Sequence, residues 1–483
     1  MKLKTIILSF AAFLFMQSCG ENLANLNVDP NTSPTANPKE VLTSGIGFIG
    51  ADMEALFNEP SALFAQYWAG GPGVALTDHE RYFIEPGDFN SEWALAYNQS
   101  LSDLSFVIKN GNDARSSVAQ ILSCYIYGLL VDLYGDIPYS EALQGDGVDG
   151  PAILTPKYDN DLDIYKDLIV KIDAAQNVLA NSTGELGSED LIYNGSVGQW
   201  MKFANSLKLK LYVKMGSAGE AVDNDVRTLV QNGNFIESVS DMATIAFDGS
   251  ANNFNPQYSR RESGVGMFYV ASNSYLDVCT ELNDPRAALL FNPAGDGTIK
   301  GLAQGGINEL VAPSKADFSY PSSVAYAIDN PSILMSHWEV YFLRAEAAVK
   351  YNTADHSKAM FEAGVSSNFD YVGAGDATSY LDENANIGNI ANSEAKLNLI
   401  GVQKWLSMCG LQETEGWNET RRFDRTGNRI FTDPATGIFS VPPRSILGAG
   451  VYPSIRLYPQ SEVSFNSANT PARVITDKVF WDN

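Results

Sequence analysis

The chain has 483 residues, of which 45% are hydrophobic, and its formal net charge is −25 at pH 7. This length and composition exclude a disordered protein and are sufficient for a large core, in one big domain or two smaller ones. A surface this negative repels phosphate backbones, so nucleic acid is not expected as a partner. Aromatic residues make up 11% of the chain, more than helical packing requires, so some rings are candidates for a ligand surface.

The first 19 residues have the organisation of an export signal that ends at a cysteine. Two lysines precede an apolar run at 6–16, which is too short to span a membrane and has the length of a signal-peptide core. Ser18 then precedes Cys19, which is similar to a lipobox. We predict a signal peptide over 1–18 and lipidation of Cys19, with several acyl chains as a stable anchor. The alternative is a plain secretory signal with an incidental cysteine.

The next part of the chain predicts a tether followed by helices. Residues 19–38 are rich in Asn, Pro, Thr and Ser without an apolar period, which is typical of a flexible linker. Apolar spacing predicts helices over 38–57 and 61–68, and a glycine-rich stretch at 70–73 ends the second one.

A loop-like segment over 74–91 supplies the first candidate ligand contacts. Arg81 and Tyr82 lie within it and are better candidates than the two rings that follow. Trp93 and Tyr97 are four residues apart on one predicted helical face, and this spacing favours ordinary core packing.

The stretch 129–143, LLVDLYGDIPYSEAL, closes an amphipathic helix and turns into an exposed loop. Apolar residues recur at helical spacing upstream of it, so one face is predicted to pack on a core. Gly135 suits the left-handed conformation that ends helices, and Asp136 and Pro138 prevent the helix from resuming.

Further helices are predicted over 165–179, 199–215 and 338–351 from their apolar period. The acidic run 159–163 lacks the glycine and the distal glutamate of a calcium loop, and is explained more simply as a helix N-terminus. Paired amphipathic helices of this size resemble tetratricopeptide units.

Two long irregular regions interrupt these helices, and loops of this length within a domain are often functional. The first carries Tyr258 and Arg260, and the second carries Tyr320. Guanidinium groups, amides and tyrosines bind polar ligands by hydrogen bonds and stacking. The alternative for each residue is that it only covers the helical scaffold.

Three cysteines remain after Cys19, an odd number without metal or redox spacing. Cys124, Cys279 and Cys409 are predicted to be buried as small hydrophobic residues, without a disulfide framework.

Several segments resemble the signature segments of the SusD/RagB family of cell-surface lipoproteins of Bacteroidetes-type bacteria. They are YGDIPYSEAL at 134–143, WMKFANSLKLK at 200–210, EVYFLRAEA at 339–347, ETEGWNETRR at 413–422 and the closing stretch 442–466. Arg344 and Glu346 are predicted to be structural. Arg421 and Arg422 suit an anionic ligand, but internal ion pairs are favoured for them.

The resemblance implies a mostly α fold, a tetratricopeptide-like helical scaffold with little β structure. It further implies one domain over 39–483, with loop inserts near 70–92, 247–270 and 301–331. Family members are lipid-anchored in the outer membrane and face the cell exterior. They capture a nutrient and act as a lid on a SusC-like TonB-dependent outer-membrane transporter.

The sequence favours a carrier over a catalyst. It holds no nucleophile elbow, zinc-protease motif or nucleotide-binding loop, its three histidines are scattered, and neither a cofactor nor a metal is expected. An oligosaccharide is the expected ligand, with Arg81, Tyr82, Tyr258, Arg260 and Tyr320 as its contacts. The alternatives are peptide cargo, a glycan-degrading enzyme, or a structural repeat protein that binds another polypeptide.

Overall fold

The computed structural model describes residues 36–72, 78–145, 147, 150–258, 269–310 and 312–482. The predicted signal peptide, Cys19 and nearly all of the predicted tether lie outside these ranges, and so does Arg260.

Sixteen α-helices have both ends within the described ranges. They are α1 Pro38–Asp52, α2 Asn58–Phe64, α3 Asn90–Leu95, α4 Ser102–Asn110, α5 Asp113–Tyr134, α6 Asp161–Ala180, α7 Val197–Ser217, α8 Asp223–Asn232, α9 Asn273–Glu281, α10 Ala287–Leu290, α11 His337–Tyr351, α12 Ser357–Val372, α13 Thr378–Glu383, α14 Ser393–Met408, α15 Glu413–Phe423 and α16 Gln460–Phe465. Short π-helices occupy Met53–Phe57 and Ala96–Leu101. Short 3-10 helices occupy Asp78–Arg81, Pro86–Phe89, Val239–Asp241, Gly306–Glu309, Lys315–Asp317 and Ile387–Asn389.

The β-strands within these ranges form three antiparallel two-stranded ladders. The strands are β1 Trp68–Gly70, β2 Ile137–Pro138, β3 Tyr158–Asp159, β4 Ala243–Ile245, β5 Tyr269–Ala271 and β6 Ser332–Met335. β1 pairs with β5, β2 with β3, and β4 with β6.

Helical hairpins form the scaffold. α5 packs on α6, α7 on α8, α11 on α12 and α14 on α15. Successive hairpins also contact each other, because α6 packs on α7, α8 on α11 and α11 on α14. The N-terminal helices contact the first and the last of these hairpins, because α4 packs on α5 and α2 packs on α15. The predicted mostly α, tetratricopeptide-like fold is confirmed.

Side-chain caps explain where the hairpin helices begin. An oxygen of each N-cap side chain accepts a hydrogen bond from a backbone N–H in the first turn, which satisfies a donor that has no partner in the helix itself. The caps are Asn112 for α5, Asn160 for α6, Ser336 for α11 and Asn392 for α14. The cap at Asn160 confirms the acidic run as a helix start. Gly135 ends α5 as predicted, with a positive φ of 79°, but its ψ of −124° lies outside the left-handed helical conformation expected there.

Two sequence-based boundaries differ from the structure. The predicted break between 38–57 and 61–68 is wrong, because α1 continues through a π-helix into α2 without a loop. α2 ends at Phe64, Gln66 adopts a left-handed φ of 54°, and Trp68 belongs to β1.

The amphipathic character predicted for α5 is wrong as well, since neighbouring helices cover it on nearly all sides. Its length and apolar composition would suffice for a membrane span, but 89% of its most apolar 18-residue window is buried, as in a core helix.

The core confirms other predictions. Cys124, Cys279 and Cys409 are free and buried. The rings of Trp93 and Tyr97 are buried and lie 4.9 Å apart between centroids.

Two lysines of α7 join four helices through buried ion pairs. Lys214 Nζ lies 2.7 Å from Asp132 Oδ2 of α5. Lys210 Nζ lies 2.9 Å from Glu339 Oε1 of α11 and 2.7 Å from Glu415 Oε2 of α15. Burial alone would raise the pKa of Glu415, but the ammonium groups around it hold that pKa well below its usual value. The carboxylate is therefore charged, and its charge is compensated inside the fold.

Arg422 extends this network along α15. Its two Nη atoms each lie 2.6 Å from an oxygen of Glu346 on α11, and its Nε donates to Glu419 at 3.0 Å. Burial opposes ionisation of Glu346, yet the guanidinium lowers the pKa of this carboxyl to about 2. The structural roles predicted for Glu346 and Arg422 are confirmed. Arg344 likewise pairs with Asp355 at 2.8 Å.

We expect Arg422→Met to lower the free energy of unfolding by about 3 kcal/mol, because it removes the guanidinium shared by the buried Glu346 and Glu419 and leaves them only Lys350 at 3.4 Å and Lys404 at 3.3 Å. Urea unfolding followed by circular dichroism measures this loss. Lys166→Met is the matched control, since Lys166 and Glu220 form an exposed pair at 2.9 Å and its loss should cost at most about 1 kcal/mol. Equal, small effects of both substitutions would contradict a stabilising role for the buried network.

Candidate functional site

The β1–β5 ladder brings two of the three inserts together. Trp68 faces Ala271 and Gly70 faces Tyr269 in antiparallel register. The chain therefore leaves β1 and enters β5 at the same end of the ladder. Residues 73–77 and 259–268, which include Arg260, lie outside the described ranges.

Glu80 ties the first insert to the third. Its side chain is buried, and its Oε1 accepts hydrogen bonds from Gly70 N at 2.7 Å and from Gly305 N at 3.0 Å. A Cβ at position 70 would lie 2.4 Å from Glu80 Oε2, so the close approach requires glycine there. One carboxylate thus holds segments that are 225 residues apart in the chain.

Asn255 ties the second insert to the third and to the helical scaffold. Its backbone N–H donates to Ile328 O at 2.8 Å, and its Nδ2 donates to Asn330 O at 3.0 Å and to Glu54 Oε2 at 3.1 Å. The three inserts therefore form one continuous region. We call their described parts, together with the β1–β5 ladder, the insert surface.

Tyrosine rings line the insert surface around a buried tryptophan. Trp68 stacks on Tyr269 with centroids 5.6 Å apart and meets the edge of Tyr326 at 5.9 Å. Tyr326 also donates to Gln257 O at 2.8 Å, which fixes the ring. Tyr258, Tyr320 and Tyr326 are half-buried residues. Rings in this state can stack on a sugar or on a peptide group.

The predicted contact residues have different environments. Arg81 is partly exposed, pairs with Asp78 at 2.8 Å and lies over the ring of Phe83 at 4.9 Å. Tyr320 packs on a small apolar cluster around β1 and β5. Tyr258 donates its backbone N–H to Asn255 Oδ1 at 3.1 Å.

Tyr82 was predicted to contact the ligand, but its ring lies inside the protein. It is 1% exposed, and its hydroxyl accepts a hydrogen bond from Gln66 Nε2 at 3.2 Å. The ring lies 6.4 Å from Phe64 and 6.0 Å from Tyr452 between centroids. Its φ of 61° is unusual for a bulky side chain and is maintained by this packing.

Two residues of the insert surface were not among the predicted ligand contacts. Tyr326 carried the same signal as Tyr320, since both are tyrosines in one irregular region. Glu80 gave no signal of its own, because both its partners are distant backbone groups that no pattern reveals. Within the described ranges, no group of three or more His, Cys, Asp or Glu side chains is placed to hold a metal ion.

A carboxyl group with a raised pKa lies behind the insert surface. Burial raises the pKa of Glu54 to about 7, although the amides of Asn255 and Asn58 donate to it and partly offset the effect. Glu54 is therefore a much weaker acid than an exposed glutamate.

Comparison with known proteins identifies the class. The SusD-like_2 family, described as starch-binding and associating with the outer membrane, matches residues 33–429. The chain belongs to the SusD-like family, and the predicted resemblance is confirmed. It is accordingly a nutrient-binding protein of an outer-membrane, cell-surface family whose members are binding proteins.

Solved structures share the fold at low sequence identity. A chitin-binding protein superposes with a TM-score of 0.76 at 22% identity, covering 92% of this chain and 100% of that one. A SusD/RagB family protein from Bacteroides thetaiotaomicron gives 0.75 at 22% identity, with 93% and 99% covered. A SusD homolog from Bacteroides uniformis gives 0.72 at 23% identity, with 92% and 98% covered. No curated protein matches the chain.

We expect Glu54→Gln to change how stability depends on pH. The native carboxyl has a pKa of about 7, above its ordinary 4.5, so it stabilises the fold fully below pH 4.5 and loses this contribution as pH rises through 7. The wild type should lose about 3 kcal/mol relative to Glu54→Gln between pH 4.5 and 8. Urea unfolding across this range measures the difference, with the exposed Glu40→Gln as control. Parallel curves for the wild type and Glu54→Gln would refute the shifted pKa.

Substitutions at Tyr82 should separate packing from hydrogen bonding. We expect Tyr82→Ala to lower the free energy of unfolding by about 3–5 kcal/mol, because it empties a buried ring site. Tyr82→Phe should cost only about 1 kcal/mol, since it removes one hydrogen bond and keeps the ring. Denaturant unfolding of both variants tests this. A stable Tyr82→Ala variant would show that the ring is not part of the core.

Proposed function

We propose that the protein captures an oligosaccharide at the insert surface and delivers it, as a lid, to a SusC-like TonB-dependent outer-membrane transporter. One observation supports this proposal most strongly. The three inserts contact one another and form one tyrosine-lined region on a scaffold of the SusD-like family. The chitin-binding relative supports a glycan as the class of cargo.

The proposed ligand contacts are the exposed parts of the inserts. Arg81, Tyr258, Tyr320 and Tyr326 supply a guanidinium and three ring faces, and Arg260 is proposed from its position in the second insert. Aromatic faces stack on the apolar faces of sugar rings, and guanidinium groups donate to their hydroxyl oxygens. Tyr82 supports the first insert from inside and does not present its ring to solvent.

Two buried carboxyl groups in or next to the inserts have structural roles that fit a carrier. A glycosidase needs two carboxyl groups that flank the scissile bond. Glu80 is buried and accepts two backbone N–H groups, while Glu54 is buried and accepts side-chain amides. Both carboxyls thus hold the inserts together, which is a structural task, and we propose that the protein is not an enzyme.

The membrane arrangement is proposed from the sequence. Acylation of Cys19 would anchor the protein in the outer membrane, with residues 19–38 as a tether to a single domain that faces the cell exterior. Mass spectrometry of the membrane-extracted protein, with Cys19→Ala as the comparison, tests the anchor. An unmodified cysteine in the wild type would exclude it.

We expect the double variant Tyr258→Ala/Tyr320→Ala to bind its oligosaccharide at least tenfold more weakly than the wild type, a loss of about 1.4 kcal/mol or more. Calorimetric titration against panels of oligosaccharides and of peptides, with product analysis of each mixture, identifies the ligand and measures the loss. Tyr212→Ala, which removes a half-buried tyrosine of α7, is the matched control.

Each outcome of these titrations decides one point. Saturable binding of an oligosaccharide without chemical change supports the carrier. Turnover of any panel member overturns the carrier role, and binding of peptides alone replaces the cargo. Unchanged affinity in the double variant would show that the ligand does not bind at the insert surface.

A further inference from the structure

A cavity lies between α2, α15 and the C-terminal segment. It has a volume of about 410 Å³, within the usual range for small-molecule pockets of roughly 300–1,000 Å³. Phe64, Trp417, Phe439 and Tyr452 contribute its aromatic walls. We call it the C-terminal cavity. Its lining residues lie outside the three inserts, and the buried ring of Tyr82, in the first insert, packs behind two of its wall residues.

The charge of this cavity is opposite to that of the chain. Four basic residues line it, against two acidic ones. The basic residues are Arg421, Arg425, Arg429 and Lys478, and the acidic residues are Asp424 and Asp482. In a protein of formal charge −25, a concave site with an excess of two positive charges attracts anions.

One of the two acidic residues already has its partners within the protein. The carboxylate of Asp424 accepts hydrogen bonds from Phe431 N at 2.7 Å and from Thr432 N at 2.8 Å. It also accepts a bond from the Thr432 hydroxyl. Asp424 therefore holds the loop that follows α15 and is not itself paired with the arginines of the cavity by a hydrogen bond. The guanidinium of Arg429 donates from Nε to the Thr432 hydroxyl at 2.9 Å and also from Nη2, so its Nη1 is the group that we assign to a ligand.

Three polar atoms of the lining residues are buried without a hydrogen-bond partner among the described residues. They are Arg421 Nε, Arg425 Nη2 and Asp482 Oδ2. The Nη groups of Arg421 do have protein acceptors, including Asp132 O at 2.8 Å. The cation paired with Asp482 is Lys478, whose Nζ lies 3.6 Å from Asp482 Oδ1. Unpaired buried polar atoms are costly, so two donors and one acceptor here indicate a polar occupant.

The aromatic walls give the occupant a second property. The guanidinium of Arg421 lies 4.2 Å from the ring centroid of Trp417, and Phe439 lies 6.0 Å from Tyr452. Charged donors beside ring faces fit a molecule that has both a carboxylate and an apolar face. A hydroxyl on the same molecule would donate to Asp482 Oδ2.

We propose that the C-terminal cavity is a second binding site, for a small hydroxylated carboxylic acid of the hexuronate type. Its carboxylate is bound by Arg425 and Arg429, with Arg421 behind them. Its hydroxyl groups face Asp482, and its ring lies against the aromatic walls. The site does not depend on the oligosaccharide proposed for the insert surface.

The test is calorimetric titration of the intact protein at low salt with glucuronate, galacturonate, glucose, galactose and inorganic phosphate. We expect saturable binding of a hexuronate and at least tenfold weaker binding of the neutral sugars and of phosphate. Arg429→Met and Arg425→Met should each weaken hexuronate binding at least tenfold. Lys208→Met, which removes a positive charge from α7, should leave it unchanged.

The outcomes separate this site from the insert surface. The exposed position of Arg429 allows its substitution without disturbing the core, and an unchanged melting temperature checks that. Absence of hexuronate binding, equal binding of neutral sugars or phosphate, or insensitivity to both arginine variants overturns the proposal. Loss of hexuronate binding in Tyr258→Ala/Tyr320→Ala would place the acid at the insert surface and also overturn it.

Discussion

Buried charges that must be compensated determine how the helices of this protein are placed. Lys210, Lys214 and Arg422 lie inside the fold, where an unpaired ion costs several kcal/mol. Each meets carboxylates from other helices, so α5, α7, α11 and α15 are positioned relative to one another by ion-pair geometry as well as by apolar packing. Hydrophobic contact tolerates small sliding movements, whereas a bidentate arginine pair does not.

The segments that identify the family are the ones that build this interior. Tyr134, in the YGDIPYSEAL stretch, donates to Glu92, which pairs with Arg456 of the closing segment. Arg456 in turn donates its backbone N–H to Leu133 O at 2.7 Å. The signature therefore describes a scaffold, and the inserts, where we propose that the cargo binds, lie outside it.

Sequence reasoning succeeded where the physical signal is local. Apolar period places α6, α7 and α11, and Gly135 marks the end of α5, since these signals operate within a few residues of each other. It could not show that Glu80 meets Gly305, or that Arg425 and Lys478 line one cavity, because such contacts join distant parts of the chain. Tyr82 shows a different limit, since a residue in a loop-like segment can still be buried when the loop folds over the core.

Trp481 gives the fold a property that concerns its biosynthesis. Its ring is buried, and its Nε1 donates at 2.8 Å to Asp132 Oδ1, in the same carboxylate that pairs with Lys214. Asp132 lies near the start of the scaffold, 349 residues earlier. A nascent chain that has not yet reached residue 481 thus leaves a central carboxylate short of a partner. The native interior is completed late, after translation has passed this tryptophan, and a contact of such long range closes slowly.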